Sequence, residues 1–382
     1  MAFKIEYMEM AIEEAKKGIG AVNPNPLVGA VIVKDNRVIA KGYHARYGDL
    51  HAERAAFAAL KESAEGAEMY VTLEPCCHYG KQPPCVEAIV EHKISKVYVG
   101  SDDPNEKVSG KGYRYLREHG VEVKTHVLKE KCDSINEIFF HYITTKTPYV
   151  LMKYAMTMDG KIASYTGKSQ WISNEKSRER VQELRNKYSG IMVGINTVLF
   201  DNPMLTCRIE NGNNPVRIVC DTNLRIPTDC KLVETAKDVP LIVVTSDKFA
   251  AGNQNNNISE NISENISGNI SDKISLLKEK NVEIVFVRQK GEYIDIKETM
   301  RLLGAKGIDS ILLEGGGALN YSCIEADVVN EVQVFVAPKM LGGKEAKTPV
   351  SGTGFENPDL ASKFSLQSIE QIDEDVLITY RK

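Results

Sequence analysis

The sequence has no run of 18 apolar residues and no run of five basic residues. The first absence excludes a membrane-spanning helix. The second argues against nucleic acid as the main partner, because contacts with phosphates need a concentrated set of Lys and Arg side chains. A formal net charge of -4 and a sequence pI near 6.1 agree with that exclusion. Neither a membrane nor a nucleic acid is therefore expected as a partner.

Cysteine is also scarce, with eight residues among 382. Such a number in so long a chain does not make the disulfide framework of a secreted protein. Residues 1–18 interrupt their apolar positions with charges every few residues, so they lack the apolar stretch of a signal peptide. We therefore expect a cytoplasmic protein with reduced thiols.

The length of the chain predicts two domains, because a single core stops growing well below 382 residues. Residues 1–146 read as a helix and a hairpin followed by strands that alternate with helices, which indicates a three-layer α/β domain. Residues 147–382 are richer in strands and predict a second α/β domain on a mostly parallel sheet, with a closing hairpin over 364–380. Residues 253–275 repeat Asn-Ile-Ser, and Asn and Ser are poor helix formers. We interpret this low-complexity segment as a surface insertion between two strands.

The strongest chemical signal is His-Ala-Glu at 51–53, followed by Pro-Cys-Cys-His at 75–78 and by Cys85. A neutral imidazole from His51 and thiolates from Cys76 and Cys85 leave one open position on a tetrahedral zinc ion. Water at that position becomes acidic near neutral pH, and Glu53 can carry its proton. Strong helix formers follow His51, and Pro-Pro precedes Cys85, so both ligands are predicted at helix starts.

Two residues beside this motif have alternative interpretations. Cys77 is either another ligand or a small buried residue, and His78 is either a fourth ligand or a side chain that faces substrate. A purely structural zinc site prefers four protein ligands and has no use for Glu53. The motif therefore favours a catalytic zinc site with three ligands.

In the second half, Glu314 and three glycines lie between a predicted strand and a predicted helix. Glycines in that position let backbone N–H groups approach a phosphate, although a triple glycine is also typical of a flexible turn. The spacing is not G-x-G-x-x-G, so a Rossmann dinucleotide fold is not supported. Arg185 and Arg208 suit bidentate phosphate binding or surface salt bridges. Trp171, the single tryptophan, is either a cofactor contact or a core anchor.

H-x-E followed by P-C is the signature of zinc base and nucleoside deaminases. The longer loop here, Pro-Cys-Cys-His-Tyr-Gly-Lys-Gln-Pro-Pro-Cys over 75–85, resembles more narrowly the bifunctional riboflavin-biosynthesis deaminase–reductases. Asn-Pro-Asn-Pro-Leu-Val-Gly at 23–29 belongs to the same resemblance. Residues 153–163, 193–208 and 314–317 resemble the reductase half of that family.

The resemblance implies a cytidine-deaminase-like domain followed by a dihydrofolate-reductase-like α/β domain. It implies zinc-dependent hydrolytic deamination of 2,5-diamino-6-(5-phosphoribosylamino)pyrimidin-4-one. NADPH-dependent reduction of the ribosyl group to a ribityl chain then follows. The implied partner is a small phosphoribosyl pyrimidine substrate, and we also expect a homo-oligomer.

The same resemblance implies roles for particular residues, with Glu53 as the proton carrier of the deaminase. The residues implied to hold its substrate are Asn23, His44, His78, Lys81, Asp103 and Asn105. In the reductase, Lys153 and Asp201 are implied to activate the ribosyl C1′. Those implied to hold the reductase substrate are Ser169, Arg185, Leu205, Arg208 and Glu314. Those implied to hold NADPH are Ala155, Trp171, Thr197, Asp201, Thr222, Gly316, Gly317, Ala318, Leu319 and Asn320.

Three alternatives remain at this level. One is a zinc deaminase of another base or nucleoside with a non-catalytic second domain. Another is a nucleic-acid-binding protein with a structural zinc ion. The negative net charge of the chain and the presence of Glu53 disfavour this alternative. The third is a reductase whose deaminase half has lost activity, which the complete set of zinc-site residues disfavours.

Overall fold

A computed structural model describes residues 4–80, 82–106, 108–250 and 264–382. The chain divides into two compact units, Met1–Lys146 and Thr147–Lys382. None of the helices in the described ranges is long and apolar enough to cross a membrane.

The first unit is built on a five-stranded sheet in the order β2-β1-β3-β4-β5. Its strands are β1 (Gly29–Lys34), β2 (Arg37–Tyr43), β3 (Glu68–Leu73), β4 (Lys96–Ser101) and β5 (Glu122–Lys124). Its helices are α1 (Ile5–Lys16), α2 (Ala52–Ala58), α3 (Cys85–Glu91), α4 (Lys111–Glu118), α5 (Lys129–Ser134) and α6 (Glu137–Thr145). β1 is antiparallel to β2 and β3, whereas β3, β4 and β5 are parallel.

Helices cover both faces of this sheet, because alternate residues of its strands are apolar on each side. On one face, Met8 and Ile12 of α1 pack against Val31 and Val33. On the other face, α2, α3 and α4 bury a second apolar layer, which includes Phe57. The predicted three-layer α/β arrangement is therefore confirmed.

The second unit carries a nine-stranded sheet in the order β10-β9-β8-β7-β13-β6-β14-β16-β15. Its strands are β6 (Tyr149–Thr157), β7 (Gly190–Gly194), β8 (Val216–Cys220), β9 (Leu241–Ser246), β10 (Val282–Val287), β13 (Ser310–Gly315), β14 (Glu331–Ala337), β15 (Ser365–Ile372) and β16 (Asp375–Arg381), with a separate ribbon of β11 (Gln289–Lys290) and β12 (Tyr293–Ile294). Its helices are α7 (Glu175–Lys187), α8 (Ile195–Asp201), α9 (Lys231–Glu234), α10 (Glu264–Glu279), α11 (Ile296–Ala305) and α12 (Gly317–Glu325).

The strands from β10 to β14 in this sheet are parallel, and β14, β16 and β15 are antiparallel. The predicted mostly parallel sheet and its closing C-terminal hairpin are both confirmed. The loops that lead from β7, β8 and β13 into the following helices therefore lie at the carboxyl ends of these strands. Ligands bind at this edge in sheets of this kind.

The described part of the Asn-Ile-Ser repeat lies at the surface between two strands, as predicted, but it is helical although Asn and Ser are poor helix formers. Residues 251–263 lie outside the described residues, but α10 begins at Glu264 and includes the rest of the repeat. α10 connects the parallel strands β9 and β10, and Leu277 near its end is fully buried. The connection between two parallel strands needs a crossover, and its packing outweighs the low helix propensity of Asn and Ser.

Candidate active sites

The three predicted zinc ligands come together in the first unit. α2 starts directly after His51, α3 starts at Cys85, and Cys76 lies in the loop after β3. His51 Nδ1 is 3.4 Å from Sγ of Cys76 and 3.4 Å from Sγ of Cys85. The ligand atoms of all three residues lie within 4.8 Å of one another. One imidazole and two thiols fit a zinc ion with one position open for water.

A glycine in β2 allows this arrangement. A Cβ atom at Gly42 would collide with the backbone of Ala52, Ala55 and Ala56. α2 therefore lies directly on the sheet, which fixes the positions of His51 at its N-cap and Glu53 in its first turn.

The surroundings of Cys76 favour its thiolate form. Hydrogen bonds with the thiol of Cys85 and with His51 lower the pKa of Cys76 to about 4. The backbone N–H of Cys85, at the start of α3, also donates to Cys76 Sγ at 3.3 Å. A thiolate is the form that zinc binds, so the loop is prepared for the metal.

Glu53 is buried, with 3% of its surface exposed. Burial raises the pKa of its carboxyl group, and the charge of Cys76 raises it further. The Glu53 carboxyl also interacts with the Cys85 thiol, which places it beside the candidate zinc ligands. A buried carboxyl with a raised pKa in that position can accept a proton and return it.

Cys77 is the alternative ligand, and it lies outside the group that could hold a metal among the described residues. It packs instead against the apolar layer under α2 and α3. Burial raises the pKa of its thiol, the opposite of the shift at Cys76. The structure thus favours the interpretation of Cys77 as a small packing residue, half-buried rather than fully buried, and not as a ligand.

The predicted substrate residue His44 is buried near the zinc ligands. Its ring lies 5.6 Å from the ring of His51. His44 Nδ1 is 3.0 Å from the carbonyl oxygen of Leu50, and Nε2 is 3.1 Å from Asn25 Nδ2. Burial lowers the pKa of His44, so a neutral ring donates to Leu50 and accepts from Asn25. Sequence reasoning missed Asn25, although it lies in the same Asn-Pro-Asn motif as Asn23.

His78 and Asn23 are both half-buried. His78 Nδ1 is a buried atom that has no hydrogen-bond partner among the described residues. Lys81, also predicted to hold substrate, lies outside the described residues.

Asp103 and Asn105 form one short turn after β4. The backbone N–H of Asn105 donates to Asp103 Oδ1 at 2.8 Å. Burial raises the pKa of Asp103 to about 6, and the negative charge of Glu74 adds to the shift. Glu74 itself accepts hydrogen bonds from the backbone of Gly110 and Gly112, each at 3.0 Å. Sequence reasoning missed this anchoring role, because it depends on contacts more than 30 residues away.

The second unit contains a cleft of about 590 Å³ at the carboxyl ends of β7, β8 and β13. Several residues predicted to hold cofactor or substrate line it together. They are Ser169, Thr197, Asp201, Thr222, Gly316, Gly317, Ala318 and Leu319.

The triple glycine forms the middle of this cleft. Gly315 and Gly316 have φ angles of +69° and +94°, which only glycine adopts without strain at such values of φ and ψ. Thr197 Oγ1 donates to the carbonyl oxygen of Gly315 at 3.2 Å, and α12 begins at Gly317. Asn320 is buried beneath the loop, where its Nδ2 donates to the carbonyl oxygen of Pro349 at 2.8 Å.

Glu314 and Arg185 form a buried ion pair with two parallel hydrogen bonds of 2.9 and 2.8 Å. Arg185 also donates to the carbonyl oxygen of Thr206 at 3.0 Å. Burial opposes ionisation of Glu314, but Arg185 outweighs that cost and lowers the pKa of the carboxyl group. Lys153 lies nearby, and burial lowers the pKa of its amine. Arg185 therefore does form a salt bridge, as in the alternative to phosphate binding, but a largely enclosed one rather than one on the open surface.

Other predicted reductase residues lie outside the lining of the cleft, namely Lys153, Ala155, Trp171, Arg185, Leu205, Arg208, Glu314 and Asn320. Trp171 is 61% exposed and stacks under the guanidinium of Arg178 at 4.7 Å, so it is not a core anchor. Leu205 is buried with a φ of +52°, and Arg208 is exposed.

The cleft also has polar lining residues that sequence reasoning missed, namely Lys161, Asn196, Arg225, Lys344 and Lys347. Arg225, Lys344 and Lys347 lie on loops outside the motifs quoted above, whereas Lys161 and Asn196 lie within those motifs but were not singled out. Only the order of the strands brings these loops to one edge of the sheet.

Two family models match the chain. The cytidine and deoxycytidylate deaminase zinc-binding region matches residues 1–101, and the RibD C-terminal domain matches residues 148–378. The first match contains all three candidate zinc ligands and Glu53. The second contains the whole lining of the cleft.

Full-length relatives are also similar. The riboflavin biosynthesis protein RibD of Actinobacillus pleuropneumoniae is 48% identical over 377 residues, which cover 98% of this chain and 94% of that protein. The RibD of Aquifex aeolicus is 36% identical, with 98% of each chain covered.

Among solved structures, a diaminohydroxyphosphoribosylaminopyrimidine deaminase/5-amino-6-(5-phosphoribosylamino)uracil reductase from Thermotoga maritima is 37% identical. It superposes with a TM-score of 0.82, covering 99% of this chain and 98% of that one. Both predicted fold types and both predicted cofactors are therefore confirmed. The chain belongs to the riboflavin biosynthesis protein RibD family, a bifunctional enzyme with a zinc-dependent deaminase domain and an NADPH-dependent reductase domain.

Proposed function

We propose that the first domain, residues 1–146, deaminates 2,5-diamino-6-(5-phosphoribosylamino)pyrimidin-4-one. The second domain, residues 147–382, then reduces the ribosyl group of the product to a ribityl chain. The observation that carries the proposal is the group of His51, Cys76 and Cys85 with the buried carboxyl of Glu53 beside it. The similarity to the Thermotoga maritima deaminase/reductase supports the choice of substrate.

In the deaminase, His51, Cys76 and Cys85 hold the zinc ion, which when bound acidifies a water molecule. Glu53 accepts the proton of that water on its carboxylate as the oxygen attacks C2 of the pyrimidinone. The same carboxyl then gives the proton to the departing amine. Burial of Glu53 keeps bulk water away from this transfer and raises the pKa of the carboxyl group, which helps it to hold the proton between the two steps.

Substrate orientation in the deaminase is assigned to the residues around this centre. Asn23 and His44 approach from the segments before β1 and after β2, and His78 offers its unpartnered Nδ1. Asp103 and Asn105 present a carboxylate and an amide from the turn after β4. We keep Lys81 as a phosphate ligand on the family resemblance alone.

In the reductase, NADPH supplies the hydride, so the protein's task is to bind and orient both reactants. The backbone around Gly316 and Gly317 suits the pyrophosphate, because α12 begins there. The other proposed cofactor contacts are Ala155, Trp171, Thr197, Asp201, Thr222, Ala318, Leu319 and Asn320. The short side chains among them leave room for the dinucleotide.

The residues to which we assign substrate binding in the reductase are Ser169, Arg185, Leu205, Arg208 and Glu314. Arg185 uses its Nε, Nη1 and Nη2 groups on Glu314 and Thr206, so it holds Glu314 in a fixed orientation. Lys153 and Asp201 remain the groups proposed to activate the ribosyl C1′. A cytoplasmic location, a homo-oligomeric state and the absence of a nucleic-acid partner remain proposals from the sequence.

The test is a coupled assay of the zinc-loaded chain on the diaminopyrimidinone ribosyl phosphate, which follows ammonia release and NADPH oxidation together. Glu53→Gln should keep its zinc and lose deamination by about 100-fold or more, as expected for a general acid–base group. Supplying the deaminated product to this variant should restore NADPH oxidation. A matched control is Glu62→Gln, because Glu62 pairs with Arg37 on the surface and should leave both rates unchanged.

Two results would contradict the proposal. Full ammonia release by zinc-loaded Glu53→Gln would remove Glu53 from the mechanism. Ammonia release by the wild-type chain without NADPH oxidation would mean that the second domain acts on another substrate.

A further inference from the structure

A positively charged corner lies at one end of the reductase cleft, where the loops after β8 and β9 meet. We define this basic corner by Arg225, Lys248 and Lys273. Lys248 Nζ donates to Asn223 Oδ1 at 2.9 Å, and Lys273 Nζ donates to the carbonyl oxygen of Leu224 at 2.8 Å. Two lysines from separate elements therefore fix the loop that carries Arg225.

Arg225 is exposed and lines the cleft together with Asn196. Its Nη2 donates to Asn196 Oδ1 at 2.9 Å, across from the carboxyl end of β7. Among the described residues, this hydrogen bond orients the guanidinium, and its other N–H groups are available to a ligand. None of the three cations of the basic corner has a role in the reaction described above.

The acidic groups of the same two loops are Asp221, Asp229 and Asp247, and of these Asp221 lines the cleft. Asp221 is fully buried beneath the loop, and its Oδ2 accepts from the backbone N–H of Ile226 at 2.7 Å. Arg225 is therefore the exposed charged group that these two loops present to the cleft. An anionic ligand is favoured there.

The order of the strands indicates which anion reaches this corner. The nicotinamide end of the cofactor must meet the substrate near Lys153 on β6 and Glu314 on β13. β8 is three strands from β6 in the sheet, about 14 Å at the usual strand spacing. The glycines after β13 lie between, where the pyrophosphate is placed. The adenosine end must then reach the carboxyl end of β8, beside Arg225.

We infer that Arg225, oriented by Asn196, binds the 2′-phosphate of NADPH and so selects NADPH over NADH. A planar guanidinium binds two phosphate oxygens in parallel hydrogen bonds. Lys248 and Lys273 hold the loop in place and add positive charge. The inference rests on the cofactor placement proposed above.

The experiment measures binding of 2′,5′-ADP and of 5′-AMP to the full chain by calorimetry. These two probes differ only in the 2′-phosphate. Arg225→Gln should weaken 2′,5′-ADP binding by about tenfold to a hundredfold, the usual value of hydrogen bonds to a charged group. Binding of 5′-AMP should stay within about twofold, because Arg225 does not contact the shared part of the ligand. Arg225→Lys should bind 2′,5′-ADP with intermediate affinity, because lysine keeps the positive charge but cannot make two parallel hydrogen bonds to the phosphate.

The matched control is Lys344→Gln, another cation of the cleft lining that lies on a different loop. It should leave the ratio of the two affinities unchanged. An unchanged ratio in Arg225→Gln would overturn the inference, and so would a loss of 2′-phosphate preference in Lys248→Gln with the preference intact in Arg225→Gln. If NADPH fails to displace 5′-AMP from the wild-type chain, the cofactor placement itself is wrong.

Discussion

The two active sites of this chain are built in opposite ways. The deaminase site gathers its chemistry in four side chains, of which three lie within 4.8 Å of one another. The reductase site is a cleft of about 590 Å³, lined by loops from several strands and by much backbone. A metal ion concentrates reactivity at one point, whereas a dinucleotide carries its own chemistry and needs a long, shaped surface.

This difference predicts how each site responds to substitution. A site of a few metal ligands should fail when any one of them is changed. A site built from backbone should tolerate many side-chain changes but should be sensitive where the backbone itself is special, as at Gly316.

The largest expected effect is at the zinc ligands. Cys85→Ser should reduce bound zinc from one equivalent to near none, because a hydroxyl is a poor substitute for a thiolate ligand. Deamination should fall by more than about 100-fold, since changes outside the ligand shell already cost about 10- to 100-fold. The measurements are zinc content by atomic absorption and ammonia release. Reduction of added deaminated product should persist.

Cys77→Ser is the matched control, because it makes the same chemical change at the neighbouring thiol that lies outside the ligand group. It should keep its zinc. Loss of zinc in Cys77→Ser, with zinc retained in Cys85→Ser, would restore the alternative in which Cys77 is the ligand.

The next largest effect, a weakening of NADPH binding by about tenfold, is expected when Gly316 is replaced by alanine. Its φ of +94° is strained for alanine, by about 1 to 3 kcal/mol, so Gly316→Ala should shift the loop that we propose to bind the pyrophosphate. NADPH binding, followed by fluorescence titration, should weaken by about tenfold for about 1.4 kcal/mol of that strain. Zinc content and deamination should not change.

Gly307→Ala serves as its control, because Gly307 also has a positive φ, of +86°, but has open space around it and lies outside the cleft lining. It should lower the melting temperature without weakening NADPH binding. Equal loss of NADPH affinity in both variants would show that general destabilisation, and not the cleft backbone, explains the effect at Gly316.

The same contrast explains what the sequence could predict. His51 and Cys85 carry distinctive chemistry and lie at helix starts that local residues signal, so the zinc centre was predicted from one short region. The glycine loop was predicted for the same reason. Arg225 and Lys344 were missed, because an isolated cation on a loop has no local pattern that places it in a cleft.

Tertiary contacts also determine features that the intrinsic preferences of single residues predict poorly. α10 is a helix although its Asn and Ser residues favour other conformations, because it connects two parallel strands and buries Leu277. Trp171 is large and apolar, yet it lies at the surface under Arg178. Neither outcome follows from the identity of the residue alone.

The smallest expected effect is a pH dependence of deamination that comes from Asp103, which we propose to bind substrate rather than metal. Burial raises the pKa of Asp103 to about 6, so its carboxylate form is complete only above that pH. If the carboxylate accepts a hydrogen bond from substrate, kcat/KM for deamination should fall below pH 6, by up to about tenfold per pH unit. Asp103→Asn should lower kcat/KM only a few fold at pH 7.5, and its pH profile should lack the inflection near 6. An unchanged inflection in Asp103→Asn would assign it to Glu53, whose pKa burial also raises, and would remove Asp103 from substrate binding.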